Sequence, residues 1–185
     1  MTEKNKGNPV SNRSKRQIET ALLKLMQTDD FKEITIQEIA YHAGLSRRTF
    51  YRNYSSKEEI LEGCFYTIWN EYRALIQAEE DLSLPNIARI FFGEMQKHIE
   101  FLITVNRHGL LPLFLTKVDV LLPTAFDEIK GETVPFSKEN IRYALTFSAG
   151  GFIRILVLWL NDGACKSPDE MASIVKDFIS IGQYP

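Results

Sequence analysis

The chain has 185 residues, 44% of them hydrophobic and 25% charged. That is enough for one domain, or a small one joined to a medium one, with a core that needs no covalent staples. The composition excludes collagenous, disordered and disulfide-scaffold classes. A formal net charge of -2 names no partner, but its distribution does. Residues 1–57 hold 11 Lys/Arg against 6 Asp/Glu, residues 58–185 hold 11 against 18, and residues 39–57 contain no acid. A basic N-terminal segment on an acidic, aromatic-rich body suggests a nucleic-acid reader attached to a second module.

Two cysteines, Cys64 and Cys165, make no disulfide framework. Free thiols and a polar start (residues 1–7) point to a reducing cytoplasm. The most apolar stretch, residues 147–160, is interrupted by Arg154 and falls short of a membrane span, so no membrane partner is expected.

In chain order, residues 1–10 read as a disordered basic tail. Ile18, Ala21, Leu22, Leu25 and Met26 have helical spacing and place a first helix over residues 11–29. Thr35 and Glu38 form a capping box for a short second helix, with Ile34 able to staple onto Ile39. Gly44 breaks it, and Ser46 caps a third helix ending near Asn53. Ser56 and Glu59 open a long fourth helix carrying Leu61, Cys64, Phe65, Ile68, Trp69, Tyr72, Leu75 and Ile76 on one stripe. Pro85 starts a fifth helix that runs through Phe91, Phe92, Met95, Ile99 and Leu102 to a turn at residues 106–109. Residues 110–130 are helical in pattern, with a kink or break expected at Pro123. Residues 131–135 read as a loop. Residues 137–162 form one long helix that Gly163 can end. Ser167, Pro168 and Glu170 start a last helix ending at Gly182. The fold is all-α with about nine helices. A helix-turn-helix domain of three helices (residues 11–57) is joined by the fourth helix to a C-terminal helical bundle (residues 58–185) for ligand binding and dimerisation.

The second and third helices carry the chemistry. Ile39, Ala40, Ala43, Leu45 and Phe50 can hold them together against Leu22, Leu25 and Met26. Arg47, Arg48, Thr49, Arg52 and Asn53 are then left on the open side of the third helix. Such donors reach guanine O6 and N7 in a major groove, and no carboxylate repels phosphate. Tyr51, Tyr54 and Lys57 lie where the motif would rest on the DNA backbone. Helix N-termini clustered here add free N–H groups that favour phosphate oxygens. Lys57 is unusual, since a cation in the first turn of a helix is disfavoured unless an anion binds there.

Residues 34–61, ITIQEIAYHAGLSRRTFYRNYSSKEEIL, closely resemble the N-terminal domain of TetR-type transcriptional regulators. The motif comprises Thr35, Ile39-Ala40, Ala43-Gly44, Thr49-Phe50-Tyr51, Tyr54 and Lys57-Glu58. The likeness is strong over residues 11–65. Residues 150–163, followed by Ser167-Pro168-Asp169-Glu170-Met171, resemble the last two helices of many such proteins from Gram-positive bacteria. Tyr54 stands where the family usually has Phe, and Arg52-Asn53 where Tyr-His or Trp-His is frequent. The resemblance implies a homodimer on a palindromic double-stranded DNA operator and a C-terminal pocket for a small-molecule effector. Thr35, Ser46, Tyr51 and Lys57 match phosphate-contacting positions. Gln37, Arg47, Arg48 and Thr49 match positions that reach base edges, and Arg52 and Asn53 match positions that do either.

In the body, Phe65, Trp69, Phe91, Met95, Phe114, Phe147 and Phe152 are candidates to line a pocket between helices. His98 and His108 are either its polar handles or half-exposed helix-end side chains. Residues 147–160 are apolar nearly all round and need two buried faces. One face fits a two-fold interface through Gly150, Gly151, Arg154 and Leu158, matched by Met171, Ile174, Val175 and Phe178. No His, Cys or carboxylate pair has convincing metal-ligand spacing, no cofactor motif occurs, and no nucleophilic triad or phosphate-cradling loop suggests an enzyme. The leading reading is a repressor released from DNA by a small apolar or amphipathic ligand. The alternative is a ligand-independent interaction protein of the same family, a coactivator or architectural DNA-binding protein with a filled C-terminal core.

Overall fold

The computed structural model describes residues 9–130 and 137–181. The loop expected at residues 131–135 and the end of the last helix at Gly182 lie outside them, as do residues 1–8 of the expected tail. Nine helices and no strand occur among the described residues: α1 (Pro9–Leu25), α2 (Ile36–His42), α3 (Arg47–Asn53), α4 (Lys57–Gln77), α5 (Leu84–Lys97), α6 (Ile99–Arg107), α7 (Leu111–Lys130), α8 (Lys138–Asn161) and α9 (Pro168–Ile181). The chain divides into two compact units, Met1–Thr67 and Ile68–Pro185, so the boundary falls inside α4 rather than at its start.

In the first unit α1, α2 and α3 pack on one another. Ile18, Leu22, Met26, Ile39 and Phe50 are each at most 1% exposed. Burying a side chain of this size contributes about 1.5–3 kcal/mol. Helix α1 starts at Pro9, earlier than its apolar spacing indicated, because proline needs no N–H partner at a helix start. It stops at Leu25, and residues 26–28 form turns. The expected capping box holds: Thr35 Oγ1 accepts from Glu38 N, and Thr35 N donates to Glu38 Oε2 at 2.8 Å. These bonds hold the Glu38 carboxyl below its usual range. Gly44 has φ +66°, where a Cβ would be strained, and Leu45 N closes the turn on Ala40 O. Ser46 Oγ accepts from Thr49 N and starts α3.

In the second unit α5 lies along α9, and α8 packs against α6 and α7. Ala88, Phe92, Leu102, Val105, Leu111, Leu156 and Trp159 form its interior. Three local expectations change. The single helix expected through Met95, Ile99 and Leu102 is two, because His98 leaves helical geometry (φ -110°, ψ 23°). Of the kink or break expected at Pro123, the break does not occur: α7 runs through it. Its packing on α8 offsets the missing N–H bond, a loss of about 3 kcal/mol in an unsupported helix. At α4, Glu59 N donates to Ser56 Oγ as expected, but the Glu59 carboxylate accepts from Ser55 N rather than from Ser56. Helix α9 begins with the full Ser167–Glu170 capping box.

Helix α8 has 24 residues, and its Glu139–Asn161 stretch is long and apolar enough to cross a membrane, so length does not exclude a span as the shorter apolar run suggested. Ala149, Leu156, Trp159 and Leu160 are nevertheless buried against the rest of the unit, and Arg154 is exposed midway along the helix.

Candidate nucleic-acid interface

The groups expected to contact DNA fall into two sets. Arg47, Arg48 and Arg52 are exposed on α3 and engage no partner among the described residues. Gln37 on α2 is also exposed, and Tyr51, 51% exposed, keeps an edge-on contact with Phe50. Seven residues of helix span about 10 Å, which fits a major groove about 12 Å wide. The sequence reading missed Tyr41, which is 80% exposed. With Gln37, Glu38, Ala40, Leu45 and Arg47 it lines an open recess of about 320 Å³ beside the helix turn. An aromatic one residue before the end of α2, off its buried stripe, was the available signal.

The second set holds the fold. The Lys57 ammonium donates to the carbonyls of Phe31 (2.5 Å), Lys32 (2.9 Å) and Ile34 (2.8 Å), and stands 4.7 Å from the Phe31 ring centre. Those bonds occupy all three of its donors. The carbonyls supply the negative partner that a first-turn lysine needs, so the ammonium is already engaged within the fold. Tyr54 is buried, and its hydroxyl donates to Glu19 Oε1 at 2.6 Å. Burial first, and then that carboxylate, push the phenol far above its usual range. Asn53 accepts from Ser11 Oγ at 2.9 Å and donates to Thr49 O at 2.8 Å, tying α3 to α1. The Thr35, Ser46 and Thr49 hydroxyls are engaged in the helix caps. Cys64 is partly buried, and burial pushes its thiol up to about 12, which suits an inert packing group.

Residues 18–64, spanning this motif, match the family model described as bacterial regulatory proteins, tetR family, and residues 83–180 match a transcriptional regulator C-terminal region. The chain belongs to the TetR family. A relative in Bacillus subtilis (strain 168), described as the uncharacterized HTH-type transcriptional regulator YerO, is 28% identical over 109 residues. The match covers 55% of this chain but only 38% of that relative's length. Two solved structures share the fold. Lin0861 from Listeria innocua has a TM-score of 0.77 at 16% identity, over 97% of this chain and 96% of the other. The dihydroxyacetone kinase operon activator DhaS has a TM-score of 0.57 at 20% identity, over 91% and 95%.

The TetR-type C-terminal region distributes the other candidates differently from the sequence reading. Trp69, Met95 and Phe114 are buried, and Phe91 and Phe152 are half-buried. Phe91 packs on Tyr72 (5.7 Å between ring centres), Phe92 (5.2 Å) and Phe152 (5.3 Å), and Phe92 continues to Trp159 at 5.4 Å. Phe65 falls in the first unit instead, and Phe147 is 78% exposed, so neither is an interior pocket residue of the second unit. His108, half-buried, ends α6. His98 faces Glu71 and Glu94 rather than an apolar cavity, so three possible metal-ligating groups meet where the sequence showed none. Of the expected interface, Leu158, Ile174 and Phe178 are exposed at 59%, 41% and 68%, and Arg154 is exposed too. Met171 and Val175 are instead buried, because α9 turns that stripe toward its own unit and α5. Open space faces Gly150 and Gly151.

Replacing Lys57 by Ala is expected to lower the unfolding free energy by about 1.5–3 kcal/mol, the range for hydrogen bonds to a charged group. Urea denaturation of the variant checks this. A phosphate contact alone would leave stability unchanged and flatten the salt dependence of DNA binding.

Proposed function

We propose that this TetR-family chain is a sequence-specific DNA-binding transcriptional regulator that acts on a palindromic operator as a homodimer. The observation that carries the proposal is the division of polar groups on the helix-turn-helix. Lys57, Tyr54 and Asn53 are engaged internally, while Arg47, Arg48, Arg52 and Gln37 stand exposed on the two helices that flank the Gly44 turn. Free guanidinium groups pair with guanine edges, and their charge favours duplex phosphates.

Homodimerisation is supported by α8 and α9. Phe147 and Leu158 on α8 and Ile174 and Phe178 on α9 expose apolar side chains, with room at Gly150 and Gly151 for another backbone to approach. A two-fold contact buries such exposed apolar side chains against their own copies.

The finer reading is repression relieved by a small apolar or amphipathic ligand held among Trp69, Phe91, Met95, Phe114 and Phe152. What supports it is that Trp69, Met95 and Phe114 are buried in the C-terminal unit and that Phe91 and Phe152 are in ring contact there. A second reading, ligand-independent regulation, is favoured by the ring-on-ring packing of Tyr72, Phe91, Phe92, Phe152 and Trp159, in which the aromatic side chains fill one another's space. The fold itself does not dictate repression, since DhaS, which shares it, carries the name of an activator.

With a duplex selected from a random-sequence pool, Arg47→Ala and Arg48→Ala are each expected to weaken binding by about 1–3 kcal/mol and relax preference at the contacted base pair. Fluorescence anisotropy checks this, and unaltered binding in both would remove the recognition-helix assignment. Phe147→Glu with Phe178→Glu is expected to convert a dimer to a monomer in light scattering while far-UV circular dichroism stays unchanged. An apolar fluorescent probe separates the two modes of control. Saturable binding that releases the duplex and is lost in Met95→Trp supports the ligand, and no binding to the wild type supports the filled core.

A further inference from the structure

Outside the DNA-reading surface, three groups from separate parts of the chain converge in the C-terminal unit. His98, at the corner between α5 and α6, places Nε2 2.8 Å from Glu71 Oε2 on α4 and 3.2 Å from Glu94 Oε1 on α5. All three possible ligand atoms lie within 4.8 Å of one another. We propose that Glu71, Glu94 and His98 form a binding site for one divalent transition-metal cation of the zinc type.

Three observations carry the proposal. The first is stoichiometric: Nε2 can carry a single proton, yet two carboxylate oxygens point at it. One N–H shared between two anions satisfies neither well, whereas a dication bonds the nitrogen and both oxygens together and balances both charges. The second is geometric. Ligand atoms about 2.0–2.2 Å from a common zinc-like ion stand roughly 2.9–3.4 Å apart, and the two nitrogen–oxygen separations here, 2.8 and 3.2 Å, lie at or beside that range. The third is the support behind the ligands. Glu94 is 1% exposed, and its other oxygen, Oε2, is held at 2.7 Å by Lys97 Nζ, which aims Oε1 toward His98. An outer partner that fixes a ligating carboxylate in this way is a usual part of a metal centre.

The ligand set selects the cation class. An imidazole nitrogen with two carboxylates suits Zn²⁺, Co²⁺, Mn²⁺ or Fe²⁺, while Mg²⁺ and Ca²⁺ prefer oxygen alone. Glu71 is half exposed, so the open side admits the ion and water to complete its coordination. Glu94 and His98 are four residues apart, one helical turn, and Glu71 comes from another helix, so a bound ion would clamp the distal part of α4 to the α5–α6 corner.

The test uses the full chain, stripped of metal and titrated with Zn²⁺ by calorimetry and with Co²⁺ by visible absorption. The expected result is one ion per chain, ligand-field bands for Co²⁺ that Zn²⁺ abolishes, and no competition from excess Mg²⁺. Glu71→Gln changes an exposed group and His98→Gln a half-buried one. Replacing an outer partner of a metal ligand typically weakens binding about 10–100-fold, so removal of a ligand itself is expected to weaken Zn²⁺ binding by at least about 10-fold, with the metal-free circular dichroism spectrum unchanged. Absence of binding, or binding that neither substitution weakens, would overturn the proposal and leave the cluster as an ion pair. No arm of the test uses DNA, so its outcome is independent of the regulatory reading.

Discussion

The bond set on which the first unit depends is the Lys57 ammonium on three carbonyls of the connection between α1 and α2. It pins the start of α4 to the segment that leads into the Thr35 cap, and hence fixes where α2 begins. Helix α3 then follows from Gly44, whose positive φ redirects the chain within a few residues. Phe50, with no exposed surface, locks α3 onto α1 and α2. The exposed arginines are thus presented by a short helix whose position is settled by buried groups that need not touch DNA themselves. Replacing any of those buried groups would disturb the placement of α3.

This arrangement separates two tasks that a charge census merges. Arg47, Arg48, Arg52 and Lys57 look equivalent as an acid-free run of cations. Three keep a guanidinium in solvent, and the fourth has its donors occupied. The reason lies in partners far along the chain. Lys57 meets carbonyls 23 to 26 residues away, and Tyr54 meets Glu19, 35 residues away. Neither separation leaves a periodic trace in sequence.

In the C-terminal unit, burial is divided between the two faces of α8. Leu156, Trp159 and Leu160 face inward, and Trp159 also donates its indole N–H to Lys166 O, fastening the link into α9. Phe147 and Leu158 face outward. A helix apolar on both sides is stable only if something covers the second face. The aromatic row from Tyr72 to Trp159 meanwhile joins α4, α5 and α8 within the unit, so the same interior that would admit a ligand is also what holds these helices in place.

What the sequence determined by itself was the local chemistry: the all-α class, the Thr35, Ser46 and Ser167 caps, the Gly44 turn and the family motif of residues 34–61. These rest on interactions within a few residues, where spacing and side-chain type suffice. Only the tertiary structure decided which cations remain free, that Met171 and Val175 turn inward while Phe147 turns outward, and that α7 continues through Pro123 while the chain breaks at His98. It also decided that Glu71 joins Glu94 and His98. No pair stood out in the chain: Glu94 and His98 are only four residues apart, and the third group is 23 residues before Glu94, on a helix whose approach only packing sets. Periodicity identifies an apolar stripe but not which neighbour it meets. A helix with apolar residues on every side therefore leaves the choice of core, partner and solvent to long-range contacts.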